Sequence, residues 1–505
     1  MLNPMNQSSQ PDSLPTCLFS QSDVRAMDSE AQSLPGVSAH LLMEKAGHAC
    51  FSVINRLWPD ARTLSVLCGS GNNGGDGYVI ARKAVEAGWD VRVFPVGDPS
   101  HQDSAAHICR TAYLSAGGAI LDYIPEGFEN AEILVDALVG TGLNRAISDS
   151  YAAIIAATRR YRGRIFAVDI PSGLCGDSGN VLGDAIRADA TMTFMAMKPG
   201  LLTGKGPEHA GILLFDDLGL PDTVRDRHQP VAERLTETAL RWPARPRHAH
   251  KGMCGHVLAI GGDHGYAGAI RLTAEAALRT GAGLVSVASR AQHALWIGSH
   301  RPELMCHSAE DPSTLDALLH TASVIAIGPG LGQSPWAQNL LRIAMDSGKP
   351  MVMDADALNL LASQQTAPRS DWLLTPHPGE AARLLGLASA ADIERDRLAA
   401  VRALQQRYGG IAILKGTGTL IKGQHATPVL ASVGNPGMAS GGMGDVLTGI
   451  ITALLAQGMP AMESALHAVW LHGRAADQAA AQGGMVGMLA SDVIANLREC
   501  RPENS

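Results

Sequence analysis

The amino-acid sequence predicts an α/β protein of two domains, each built on a largely parallel sheet. Short apolar runs that end in glycine or aspartate recur along the chain, each followed by a helix-like stretch. Glycine is abundant, 55 of 505 residues, while aromatic residues make up only 4%, which suits a glycine-looped α/β enzyme and argues against a β-sandwich. A charged, proline-punctuated stretch, RDRHQPVAERLTETALRWPARPRHAHKG, separates two such series. The boundary falls near residue 230, giving domains 17–228 and 229–505 behind a polar tail, residues 1–16, that is expected to be mobile.

In the first domain TLSVLC (63–68), VRVFPVG (91–97), EILVDALVG (132–140) and IFAVDIPSG (165–173) read as buried parallel strands, with YVIARKAVEAG as the helix after the first. In the second, HVLAIGG (256–262), LVSVAS (284–289), SVIAIGPG (323–330), PMVMDADA (350–357), WLLTPHPG (372–379) and IAILKG (411–416) do the same. GAIRLTAEAALRTGAG is one of the crossover helices between them.

The net charge of −8 is spread along the chain and gives no electrostatic reason for a nucleic-acid or membrane partner. Eight cysteines are scattered without a C-x-x-C pair, as expected of reduced thiols in the cytoplasm. The first residues lack an apolar signal core, and no apolar run nears the roughly 20 residues of a membrane helix. The expectation is a soluble cytoplasmic enzyme.

Chemistry concentrates at strand ends. CGSGNNGGDG (68–77) follows a strand and opens a helix, where open α/β sheets bind ligands, and it matches neither the P-loop nor the G-x-G-x-x-G pattern. Asp136, Asp169 and Ser172 lie at other strand ends of the same sheet. Oxygens of Asn73, Asp136 and Ser172 would suit a hard cation, and Asp169 an acid/base or ribose-binding role. Each alone also reads as a helix cap or loop residue. Lys198 reads as a structural or phosphate-facing lysine.

In the second domain SGGMGDVLTG (440–449) sets Asp445 among glycines at the start of an apolar helix, an anion cradle with a base beside it. The alternative is an ordinary first-turn aspartate. Lys415, with Gly416, Thr417, Gly418 and Thr419, reads as a second phosphate contact. His377, between two prolines, reads either as a ligand contact or as rigid loop structure. His248, His250, His256 and His264 match no zinc spacing.

GSGNNGGDGYVIAR, DALVGTGLNR, DIPSGL and MKPGLLTGKG, in that order, resemble the NAD(P)H-hydrate epimerases (the YjeF N-terminal family) over about residues 20–225. The resemblance implies a Rossmann-like three-layer α/β/α sandwich. It also implies substrate binding by Asn72, Asn73, Gly74, Gly75, Asp76, Gly140, Thr141, Gly142, Leu143, Asn144, Arg145, Ala146 and Asp169. Potassium would be held by Asn73, Asp136 and Ser172, and Asp169 is the catalytic candidate.

The later glycine–aspartate turn resembles the ribokinase-like superfamily. HKGMCG, GGDHGYAGA, TPHPGE and LKGTGT narrow this to the NAD(P)H-hydrate dehydratases (the YjeF C-terminal family) over about residues 240–500. The implied fold is ribokinase-like α/β/α. The implied hydrate contacts are Ala267, Gly330, His377 and Asp445. Nucleotide contacts fall on Lys415, Gly416, Thr417, Gly418, Thr419 and Gly444, with Asp445 as the catalytic base, ADP as co-substrate and magnesium beside it.

One chain would then epimerise R- and S-hydrates of NAD(P)H and dehydrate the S form, as a homo-oligomer. Two alternatives stay open at this level: a small-molecule kinase of the ribokinase type with an accessory first domain, and a first domain that only binds nucleotide. ADP or ATP as co-substrate, and NADH- or NADPH-hydrate preference, also stay open.

Overall fold

The structure, a computed structural model, describes residues 14–501 except 97–103, 123–126, 129, 144, 148 and 243–244. The chain forms two compact units, Met1–Arg234 and Leu235–Ser505. Among the described residues no helix is long and apolar enough to cross a membrane.

The first unit holds β1 (Cys17–Leu18), β2 (Thr63–Gly69), β3 (Asp90–Val96), β4 (Ala119–Ile120), β5 (Ile133–Ala137), β6 (Arg164–Val168), β7 (Ala190–Phe194), β8 (Ile212–Asp216) and β9 (Ala232–Arg234). β2 to β8 form a parallel sheet in the order β4-β3-β2-β5-β6-β7-β8. Strand residues alternate between two cores. Leu64, Val66 and Cys68 pack with the helices Ala39–Leu57, Asn72–Glu86 and Ala105–Ser115, whereas Leu67, Phe94 and Leu134 pack with Asp149–Thr158. This is the expected α/β/α layering. β7 and β8 are not among the strands read from sequence. Residues 14–16, expected to belong to a mobile tail, are held: Arg234 donates from its backbone N–H to Thr16 O and from its guanidinium to Leu14 O and Pro15 O.

The second unit contains β10 (His256–Ile260), β11 (Leu284–Ser289), β12 (Met305–Ser308), β13 (Val324–Ile327), β14 (Met351–Met353), β15 (Trp372–Leu374), β16 (Ile411–Leu414), β17 (Thr419–Lys422) and β18 (Val429–Ala431). β16-β15-β14-β13-β10-β11-β12 run parallel, and β17 and β18 extend the sheet antiparallel beyond β16. Two strands end earlier than their apolar runs suggest. Asp354 terminates β14 as the N-cap of helix Ala355–Ala362, and His377 followed by Pro378 starts helix Pro378–Leu385 just beyond β15. Helix Met443–Ala456 packs across helix Ala267–Thr280. The contact is close because Gly449 has no side chain: a Cβ there would collide with Thr273 O and lie 2.8 Å from Ala276 Cβ.

Gly449→Val therefore forces apart the two helices that aim the second unit's candidate site. The expected loss is about 1–3 kcal/mol or more of unfolding free energy, read by urea denaturation.

Candidate active sites

In both units the marked residues gather at the carboxyl ends of parallel strands, around the strand where the sheet order reverses, β2 in the first unit and β10 in the second.

In the first unit Gly71 is the N-cap of helix Asn72–Glu86 and offers no side-chain cap, so the first N–H groups of that helix are free for a ligand. Asn72, Asn73, Gly74, Gly75 and Asp76 are thus helical, not a turn before the helix. Behind them, a Cβ on Gly77 would lie 2.7 Å from Ala137 Cβ and 2.9 Å from Cys68 Sγ, so helix and strand touch directly. Gly140 seats its Cα between Asn73 and Asp169: a Cβ there would lie 3.0 Å from Asn73 Oδ1 and 2.8 Å from Asp169 Oδ2.

Asp169 sits at φ +66, a left-handed conformation that an aspartate adopts only when its surroundings hold it. They do. Lys198, fully buried, donates from Nζ to Asp169 Oδ1 at 2.7 Å, Thr193 Oγ1 donates to the same oxygen at 3.2 Å, and the Thr141 N–H donates to Oδ2 at 3.1 Å. Asp76 is different. No hydrogen bond reaches its carboxyl among the described residues. Burial, then the charges of Asp169 and Asp28, push it well above the usual carboxylate range.

Asp136 is fully buried and accepts from Ser172 Oγ at 2.6 Å, Ser172 N–H at 2.7 Å and Leu138 N–H at 3.3 Å. Burial raises it to about 6 despite these bonds. Asn73 Oδ1 lies beside Gly140, and its Nδ2 is buried without a partner. Thr141 is tied through its carbonyl to Gln21 and Arg25, Leu143 is buried, and Gly142, Arg145 and Ala146 are at the surface. Asn144 lies outside the described residues.

In the second unit Gly442, at φ +91, is the N-cap of helix Met443–Ala456 and gives no side-chain cap. Asp445 stands in the first turn. A Cβ on Gly444 would lie 3.1 Å from both Lys415 Nζ and Asp354 Oδ2, so the helix start rests on that pair. Lys415 Nζ donates to Asp354 Oδ1 at 2.6 Å, and Thr448 Oγ1 donates to Asp354 Oδ2 at 3.0 Å. Burial, then Asp354, push Asp445 up to about 7, with Lys415 opposing and Asp356 and Glu380 adding to the rise. His472, buried and pushed down to about 4, first by burial and then by Lys415, stays neutral and adds no charge.

The Lys415–Thr419 loop is held from behind by Arg397, a residue that no motif marks. Its NH2 donates to Leu414 O, Lys415 O and Gly418 O at 3.2–3.4 Å, and Gly416, at φ +135, has no Cβ to block the guanidinium. The Lys415 N–H, which follows the first of these carbonyls, donates to Pro376 O at 2.9 Å and ties the loop to the end of β15. His377 Nδ1 accepts from the N–H groups of Gly379 and Glu380 at 3.0 and 3.3 Å, so it caps a helix. It remains exposed and joins the cluster through Glu380, which is 4.0 Å from Lys415. Gly330 packs on Tyr266, beside Ala267 at the uncapped start of helix Ala267–Thr280.

Two family models match the chain: the YjeF-related protein N-terminus over residues 39–200 and NAD(P)H-hydrate dehydratase over residues 257–499. The bifunctional NAD(P)H-hydrate repair enzyme Nnr of Coxiella burnetii is 44% identical over 96% of this chain and 99% of its own. That of Escherichia coli is 45% identical over 97% and 94%. A solved ADP/ATP-dependent NAD(P)H-hydrate dehydratase from Bacillus subtilis is 29% identical, covering 51% of this chain and 93% of its own at a TM-score of 0.47. With both models matched in order and full-length relatives this similar, the chain belongs to the family of bifunctional NAD(P)H-hydrate repair enzymes.

Proposed function

We propose that the first unit epimerises R- and S-hydrates of NADH and NADPH and that the second dehydrates the S form, consuming ADP and releasing AMP and phosphate. The observation that carries this reading is Asp445, a carboxyl raised to about 7 in the first turn of an uncapped, glycine-lined helix beside Lys415. A base whose pKa lies near the working pH is both available and strong enough to take a proton.

In the second unit Asp445 accepts the proton of the C6 hydroxyl as its oxygen attacks the β-phosphorus of ADP, and AMP leaves. The N–H groups of the helix start and of Gly416, Thr417 and Gly418 hold the transferring phosphoryl oxygens. The C6–O bond then breaks, driven by the ring-nitrogen lone pair, and phosphate departs. Loss of a C5 proton restores the dihydronicotinamide. The carboxylates near Asp445 already accept hydrogen bonds from the protein. Asp354 accepts from Lys415, Asp356 from the Gly332 N–H and Glu380 from the His377 N–H. Magnesium enters this reading only as a counter-ion of the nucleotide phosphates.

In the first unit the substrate carbon carries both hydroxyl and ring nitrogen, so moving a proton on and off lets the centre open and reclose. Asp169, paired with Lys198, serves as the acceptor, and Asp76, whose neutral form is favoured, serves as the donor. Potassium suits Asp136 and Ser172: a buried carboxylate with no basic neighbour among the causes of its shift, next to a hydroxyl oxygen. Asn73 would supply the third oxygen. The ion would neutralise Asp136 and brace the two strand ends.

Asp445→Ala should lower ADP-dependent return of dihydronicotinamide absorbance by about a hundredfold or more while epimerisation persists. Stable accumulation of a phosphorylated hydrate by the wild type would instead mark a kinase. Because the base must be ionised, wild-type dehydration should rise roughly tenfold per pH unit below about 7 and level off above it. Asp169→Asn and Asp76→Asn should each slow interconversion of the epimers, followed chromatographically, with dehydration of pure S-epimer unchanged. For Asp136 the folded pKa is raised from 3.8 to about 6, so its contribution to folded stability is full below about 3.8 and is lost as pH rises toward about 6. Above that it changes no further, and the carboxylate is ionised and open to a cation. Potassium should therefore raise the melting temperature of the first unit at pH 8 more than at pH 5.

A further inference from the structure

A cavity of about 500 Å3 lies at the far side of the second unit, among residues that precede strands: Gly281 before β11, Arg301 and Glu303 before β12. Helix Ala267–Thr280 starts beside the candidate active site and ends here. Its 14 residues span about 20 Å at 1.5 Å each, so the two places are separate.

The cavity is crowded with arginine. Arg301 pairs with Glu275, but Arg245, Arg279, Arg498 and Arg501 have no carboxylate partner among the described residues. Arg245 and Arg501 converge over Gly281, where a Cβ would lie 2.9 Å from Arg245 NH2 and 3.7 Å from Arg501 NH1. Burial and Arg245 both disfavour the charge of Arg501. Like charges repel, and an anion between them would relieve that repulsion. Thr280, in the same wall, has a buried hydroxyl without a hydrogen-bond partner. Arginine at a helix C-terminus is favourable in itself, yet Arg245 already answers that need by donating to Gly281 O at 2.7 Å. The other arginines are surplus to it.

We propose that this cavity is a second binding site, for a small molecule bearing a pyrophosphate group, gripped between Arg245 and Arg501 and flanked by Arg279 and Arg498. Guanidinium groups match phosphate oxygens in geometry as well as charge, and two linked phosphates span a pair of guanidiniums as one carboxylate does not.

The test is calorimetric titration of the full chain with sodium pyrophosphate, at low ionic strength in phosphate-free buffer. Arg245→Ala/Arg501→Ala should weaken one class of pyrophosphate sites roughly tenfold or more. Arg279→Glu/Arg498→Glu changes two exposed side chains and should do the same. Asp445→Asn, altered at the candidate active site, should retain that class. If both arginine variants bind pyrophosphate like the wild type, the proposal is overturned. No detectable binding to the wild type overturns it equally.

Discussion

The buried ion pair between Lys415 and Asp354 is the interaction on which the second unit's site depends. Burying two charges is costly, and such a pair stands only when its remaining lone pairs and protons are satisfied. Asp354 meets that condition by accepting from Lys415 and Thr448 from its place at the end of β14. The pair also has a consequence for its neighbour. Lys415 spends its nearest contact on Asp354, so its effect on Asp445 is outweighed by burial and by the Asp354 charge. Were Asp354 neutral, Lys415 would be free to hold Asp445 as a permanently ionised, weak base.

The first unit repeats this arrangement on an unrelated set of residues. Lys198 is fully buried and satisfied by Asp169, Thr193 Oγ1 and Phe194 O. Asp76, near Asp169 but without a basic partner, is driven toward its neutral form. In each unit one lysine settles one aspartate and leaves another unsettled. A carboxyl raised toward its neutral form, Asp76 in one unit and Asp445 in the other, suits proton transfer at neutral pH.

Much of this was legible in the sequence, and the failures have physical causes. Strands buried on both faces print as continuous apolar runs, so β2, β3, β5, β6 and most of the second sheet could be read directly. β7 (ATMTF) alternates polar and apolar residues, and β17 (TLIK) and β18 (VLA) are antiparallel additions at the side of the sheet that lie in no long apolar run. Asp445 and Asp169 stood out because glycine or proline flanks them. Asp354, Thr448, Glu380 and Arg397 did not, since their roles depend on which strand lies beside which. DADAL says nothing of a lysine 61 residues onward until β14, β15 and β16 are laid side by side. The glycines also mean something different in place. Gly449 and Gly77 are less ligand-facing hinges than points where backbone meets protein too closely for a Cβ.

A helix start would ordinarily make Asp445 a stronger acid, because the dipole and free N–H groups there favour negative charge by about 0.3–1 kcal/mol, up to roughly 2 in buried settings. The carboxyl moves the other way, from 3.8 to about 7. At 1.36 kcal/mol per unit that is on the order of 4 kcal/mol against ionisation. Burial and neighbouring carboxylates therefore outweigh the dipole, and the ionised folded state carries the cost at neutral pH and above. Nothing in packing requires it, since an asparagine would fit the same turn uncharged. A carboxyl kept where its ionised form is disfavoured, over a pair that could be rearranged to relieve it, is strain retained at a place where protons move.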